Sequence, residues 1–132
     1  MANTNQAGVK RVERPLSPHL QIYRPQLTSF TSILTRITGN ALIVGVALAV
    51  WWLLAAAVSP AYFAVANAVC TSWFGDLVFA GSAWAVWYHY LAGLRHLYFD
   101  AGKGLDVATA EKLGWGAIIG SVVLTVLTIV IV

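Results

Sequence analysis

Two histidines and an arginine stand within "YHYLAGLRHLYFD", Tyr88 to Asp100, a stretch that otherwise reads as the end of a membrane span. His89 and His96 are i and i+7, so on a helix they share one face and differ by about 10 Å in depth. His89, the deeper, falls well inside hydrocarbon. An ionisable side chain there is a functional-site candidate, because an unpartnered polar group in an apolar medium is costly. Imidazole in an apolar bundle can be an axial ligand of haem iron, and it can equally be bonded to a neighbouring helix; the residues alone leave both open. His89 and His96 cannot ligate one iron together, since axial ligands approach a macrocycle from opposite faces. His19 lies in the polar N-terminal segment and cannot reach that depth. If His89 binds iron, a second imidazole must therefore come from another chain, which implies a hetero-oligomer. Gly93, one turn beyond His89, removes a side chain where a flat ring would lie, and it fits plain helix packing as well.

Arg95, His96 and Asp100 come at the polar end of the same stretch. Arg95 and His96 are placed to neutralise carboxylates such as haem propionates, or to snorkel as ordinary charge at a span boundary, with Asp100 one turn beyond His96 on the same face. Ser32 and Arg36 are i and i+4 on an earlier helix, at one membrane level. A hydroxyl beside a guanidinium can hydrogen-bond a carbonyl ligand at the membrane edge; a helix cap plus a topological anchor is the competing reading.

The elements that carry these residues follow from composition. The chain has 132 residues, of which 59% are hydrophobic and 10% charged, and its mean hydropathy is +0.74. That is too apolar for a soluble domain and implies an integral membrane protein. Charge-free runs at Ile37 to Gly75, broken by Ser59-Pro60, at Leu77 to Leu94 and at Leu113 to Val132 are each long enough to cross a core of about 30 Å. The expected fold is all-α, with three transmembrane helices over about 33–58, 73–98 and 113–132. The basic residues gather before the first span and around the second loop, while the first loop, Val58 to Cys70, has none. By the positive-inside rule the N-terminus is in and the C-terminus out. The basic pI thus reports topology, and no nucleic-acid partner is implied. Cys70 is the single cysteine, which excludes an internal disulfide and a four-thiolate cluster, and there is no C-x-x-C-H for covalent haem.

Met1 to Val12 is polar and aperiodic and is expected to be mobile. Residues 1–28 form an N-terminal segment and 29–132 the membrane unit. In "RPLSPHLQIYRP" the prolines impose extended or turn geometry, and Leu16, Leu20, Ile22 and Tyr23 offer apolar surface for a partner. A cleaved signal peptide is not expected. Thr28 or Ser29 is expected to cap the first span, Pro60 to end it, and Trp51-Trp52 to sit in an aromatic belt. Glycines 39, 45, 81, 93, 116 and 120 are expected to permit close helix contacts.

Together "RPLSPHLQIY", "SILTRITG" and "HYLAGLRHLYFD", in this order and spacing, resemble the cytochrome b large anchor subunit of succinate dehydrogenase, complex II; with the third span the likeness covers nearly the whole chain. The resemblance implies half of a heterodimeric haem-binding anchor bundle. Its partners would be a small anchor subunit supplying the second axial histidine, an iron–sulfur subunit and a flavoprotein subunit. It implies that His89 is the axial ligand of one shared haem b, that Ser32 and Arg36 belong to a pocket for ubiquinone, and that Asp100 is the acidic position near that arginine. His96 and Arg95 remain candidates for the quinone or propionate surroundings. The chain would be an electron-transfer anchor without the succinate-oxidising site, in the bacterial inner membrane, or the mitochondrial one if eukaryotic. One departure is Thr35, where the family usually has histidine just before the arginine. His96, Arg95 or a small-anchor residue could offset it. A fumarate reductase anchor and a structural three-helix protein without cofactor are the alternatives.

Overall fold

The computed structural model describes residues 14–17 and 19–132. The stretch Met1 to Val12, expected to be mobile, lies outside the described residues. Among the described residues four helices follow in order: α1 (Leu27–Val58), α2 (Pro60–Cys70), α3 (Trp73–Asp100) and α4 (Val107–Ile131). α1 and α4 are each long and apolar enough to cross a membrane, and α2 with α3, bent by 71° at their junction, makes a third candidate span. α3 is the less apolar of the long helices because it carries Asp76, His89, Arg95, His96 and Asp100.

Helix boundaries depart from expectation in three places. α1 begins at Leu27, with Gln26 in extended conformation and no side-chain cap, so neither Thr28 nor Ser29 caps it. Pro25 is the last residue whose missing N–H opposes helix, and Leu27 already packs beside Gly114 of α4. The Ser29 hydroxyl pairs instead with the Tyr23 hydroxyl at 2.8 Å, tying the preceding turn at His19–Ile22 to the helix. Leu16, Leu20 and Ile22 stay largely exposed.

The segment after Ser59 is helical rather than a loop. Pro60 takes the first helical position of α2, where its missing N–H costs nothing, and the Ser59 hydroxyl accepts from the Tyr62 N–H at 3.2 Å. α2 folds back onto α1. The Trp51 indole donates to the Tyr62 hydroxyl at 2.8 Å and the Trp52 indole to Asn67 Oδ1 at 3.1 Å. The tryptophan pair thus bonds α2 as well as marking that end of the bundle.

α4 starts six residues before the expected 113. Asp106 caps it, accepting from the Thr109 N–H at 2.8 Å, and the helix-favouring Ala-Glu-Lys run carries the first turns. Gly102 and Gly104, at φ of 71° and 66°, let the chain turn between α3 and α4.

α3 lies between α1 and α4. Tyr88, Ala92 and Ala117 form the buried centre, with Leu34, Trp84, Leu91 and Ile118 packed around it. Most other buried side chains are small or hydroxyl-bearing: Thr31, Thr38, Ser121 and Thr125. Thr38, Ser121 and Thr125 return hydrogen bonds to their own helix, so these helices approach closely without orphaned hydroxyls. Of the expected contact glycines, Gly39, Gly45 and Gly120 meet facing side chains. Gly81, Gly93 and Gly116 face open space and serve no helix contact in this chain.

The Asp106 carboxyl is held below the ordinary carboxylate range, first by the Thr109 backbone N–H and then by the Thr109 side chain. A depressed folded pKa gives stability that is complete above the unfolded value, about 3.9, and is lost as pH falls through the folded value. On acidification below about pH 4 the first turn of α4, Val107 to Ala110, is expected to fray before the rest of the helix, read from NMR secondary shifts. In Asp106→Asn, which keeps a cap but not the charge, that transition is expected to vanish.

Candidate functional site

α3 presents two different faces. On one, His89, Gly93, His96 and Asp100 follow at i, i+4, i+7 and i+11, and both histidines and the aspartate are exposed. On the other, Ala85, Tyr88, Ala92, Arg95 and Phe99 repeat at alternating spacings of three and four and run along the bundle interior, with Phe99 only partly covered.

His89 Nδ1 lies 3.2 Å from the carbonyl oxygen of Thr35 on α1. A carbonyl only accepts, so Nδ1 carries the proton and Nε2 keeps its lone pair free of this bond. The ring rests against Gly39, where an added Cβ would come within 3.1 Å of His89 Cε1 and 3.5 Å of Nδ1. Of the two readings left open by the residues, the bond to a neighbouring helix is present, and it is compatible with the other. One ring nitrogen is bonded to a neighbouring helix and the other is available to a metal, the arrangement that fixes tautomer and ring orientation in a metal-ligating histidine. At Gly93 an added Cβ would meet nothing within 4 Å. Helix packing in this chain thus makes no demand for glycine there, and the surface beside His89 is open to a flat group. The residues fit one axial side of a haem.

Ser32, Arg36 and Gly39 lie along one face of α1, so the serine–arginine pair borders the turn that receives His89. Ser32 is half-buried and the Arg36 side chain exposed, while the Arg36 carbonyl accepts from Asn40 at 3.0 Å. His96 Nδ1 is 2.7 Å from the carbonyl of Ala92, one turn back on its own helix. Its imidazole therefore has the same tautomer as His89 but no tie to α1. Asp100 is the last residue of α3.

Arg95 departs from its expected place beside His96. Six residues from His89, it is rotated to the inner face and is only 8% exposed. Its Nη1 donates to Thr31 Oγ1 of α1 at 3.0 Å and its Nη2 to the carbonyl of Ala110 of α4 at 3.2 Å. Nε finds no partner, and the Phe99 ring lies 4.9 Å from the guanidinium carbon, a partial compensation for a buried cation. Arg95 thus ties three helices together at the bundle interior. Thr35, which stands where a family histidine was expected, turns its hydroxyl onto the Thr31 carbonyl at 2.8 Å. With Arg95 turned inward, His96 is the basic group that α3 presents on the His89 face among the described residues.

Tyr88, Thr31 and the Thr35 carbonyl escaped sequence reasoning, whereas Gly39 was expected as a contact glycine and receives the His89 ring. The spacing Ala85–Tyr88–Ala92–Arg95 is a usable signal for the first, because it places Tyr88 and Arg95 on one inward stripe. No sequence signal points to the Thr35 carbonyl, since backbone acceptors are common to every residue.

A family model described as succinate dehydrogenase/fumarate reductase transmembrane subunit matches residues 10–128. The chain is 56% identical over 125 residues to the succinate dehydrogenase cytochrome b556 subunit of Paracoccus denitrificans, covering 95% of this chain and 96% of that one. It is 41% identical over 124 residues to the protein of the same name from Rickettsia conorii, with 87% and 90% covered. The succinate dehydrogenase cytochrome b560 subunit of Reclinomonas americana is 33% identical over 112 residues, with 79% and 76% covered.

Gly39→Ala is expected to push the His89 ring off the Thr35 carbonyl. Nitrogen NMR of the labelled imidazole in the purified protein should show a single Nδ1–H tautomer in the wild type and mixed tautomers in the variant. Helix content should not fall, because alanine is favoured over glycine in a helix by about 1 kcal/mol.

Proposed function

The chain belongs to the succinate dehydrogenase/fumarate reductase transmembrane subunit family, and from that premise we propose how its residues serve a membrane-anchor cytochrome b subunit of succinate dehydrogenase. His89 would hold the iron of a haem b shared with a second, smaller anchor subunit, which would supply the other imidazole. The observation that carries this reading is the Nδ1 bond to Thr35, which leaves Nε2 free beside the open surface at Gly93. The haem, when bound, supplies a one-electron redox centre. The polypeptide's task is to hold the imidazole at one orientation and to exclude water.

Ser32 and Arg36 receive ubiquinone. Arg36 donates through its guanidinium to one quinone carbonyl oxygen and Ser32 through its hydroxyl, at the membrane edge of α1. Reduction to quinol takes two electrons and two protons. As electrons arrive, negative charge grows on the carbonyl oxygens and these hydrogen bonds strengthen, which favours the reduced states over the oxidised one. His96 and Asp100, exposed on the His89 face toward the end of α3, form the polar surroundings through which protons reach the site. Electrons come from succinate, oxidised in a flavoprotein subunit and relayed by an iron–sulfur subunit; neither chemistry resides in this chain. In this arrangement the N-terminus and the α3–α4 connection face the cytoplasm of a bacterial inner membrane, with the C-terminus on the opposite side, a reading supported by the distribution of basic residues.

His89→Ala in the assembled complex is expected to abolish the low-spin haem spectrum, because the iron would keep a single axial imidazole, whereas His96→Ala should retain it. An unchanged spectrum in His89→Ala would reassign the ligand. Arg36→Leu is expected to lower quinone turnover efficiency about 10- to 100-fold, the worth of a charged hydrogen bond, and Ser32→Ala less, while succinate still reduces a soluble dye. If Arg36 is only a topological anchor, both activities fall together, and Arg36→Lys restores both. A reporter fused after Val132 should be active only outside the cytoplasm, and one inserted between Lys103 and Glu111 only within it.

A further inference from the structure

Thr31 is 1% exposed and both its oxygens are held by α3. Tyr88, itself fully buried, donates its hydroxyl to the Thr31 carbonyl at 2.9 Å. Arg95 donates to the Thr31 hydroxyl at 3.0 Å, and that hydroxyl in turn donates to the Thr28 carbonyl at 3.1 Å. The Thr35 hydroxyl adds a bond to the Thr31 carbonyl at 2.8 Å. One turn of α1 is therefore locked to α3 at two points, and Arg95 extends the lock to α4 through Ala110.

A buried cation with neutral partners is a costly way to obtain stability alone, since apolar residues of similar volume usually do as well. What it provides is register. Helices in an apolar medium gain little from sliding apolar surface past apolar surface, so hydrogen bonds at defined positions select one alignment. The turn selected here is the one that carries Ser32, Thr35 and Arg36. The geometry points to Thr31, gripped by Tyr88 and Arg95, as a positioning residue that sets both the quinone-binding pair on α1 and, through the Thr35 carbonyl, the His89 imidazole. This rests on the reading of Ser32, Arg36 and His89 given above. Thr31 itself is buried and is not among the groups proposed to hold either ligand.

The test uses the complete membrane complex carrying Thr31→Val, which keeps the β-branched shape and loses the hydroxyl, Thr31→Ser, which restores it, and Tyr88→Phe. Thr31→Val and Tyr88→Phe are expected to assemble with normal haem content and normal succinate-to-dye activity. Their KM for quinone should rise by about tenfold, within the range that small misplacements of a site cost. The low-spin EPR signal of the haem should shift, and Thr31→Ser should return both readouts toward wild type. Wild-type quinone KM and EPR signal in both Thr31→Val and Tyr88→Phe would overturn the inference. So would a parallel loss of assembly, dye activity and quinone activity, which is the mark of a purely structural bond. Ser32→Ala, measured alongside, separates the two levels. If it leaves quinone reduction untouched, the pocket assignment fails, while the EPR signal of Thr31→Val still decides whether the network positions His89.

Discussion

Within a bilayer the surroundings of a helix are as apolar as its neighbours, so packing alone discriminates poorly between one helix register and the next. The bonds converging on Thr31 supply that discrimination. Tyr88 and Arg95 approach from α3, and Arg95 also reaches Ala110 at the start of α4. Because each group is buried and few competing partners exist, shifting α1 by one turn would break several bonds at once and leave a cation unpaired. The first turn of α4, built on the Asp106 cap, belongs to the same construction, since it carries the carbonyl that receives Arg95.

From this lock follows a division of labour around α3. The inward stripe holds the bundle, and the outward stripe, with His89, His96 and Asp100, stays exposed. His89 connects the two, for its ring sits at the α1–α3 contact against Gly39 while its second nitrogen remains uncommitted. A backbone acceptor suits this purpose better than a side chain, because the Thr35 carbonyl cannot change rotamer or protonation state. That bond depends only on the backbone of residue 35 and makes no use of the threonine side chain.

The remaining surface is consistent with an anchor. Large apolar side chains such as Ile37, Ile43, Val44, Leu53 and Val126 are exposed along the helices, while the interior is filled by threonine, serine, alanine and glycine. A soluble bundle would show the reverse distribution. At the opposite end from Arg95, α2 folds back through Trp51 and Trp52, and the bend into α3 closes the bundle without a long loop.

Composition and periodicity were sufficient for the all-helical membrane class and for the approximate spans, because the bilayer imposes a length and an apolarity that can be counted residue by residue. The pairing of His89 with Gly93, and of Ser32 with Arg36, was legible for the same reason: helical spacing is local. Helix ends were less legible. Pro60 ended the first span as expected but also opened a helix in what was read as a loop, since proline at a first helical position and proline as a breaker look alike until the following residues find a surface, here the tryptophans of α1. The burial of Arg95, the tautomer of His89 and the centrality of Thr31 were decided only by the tertiary structure. Each depends on which side of one helix meets which carbonyl or hydroxyl of another, and an arginine bonded across three helices is spelled the same way as an arginine snorkelling to a membrane edge.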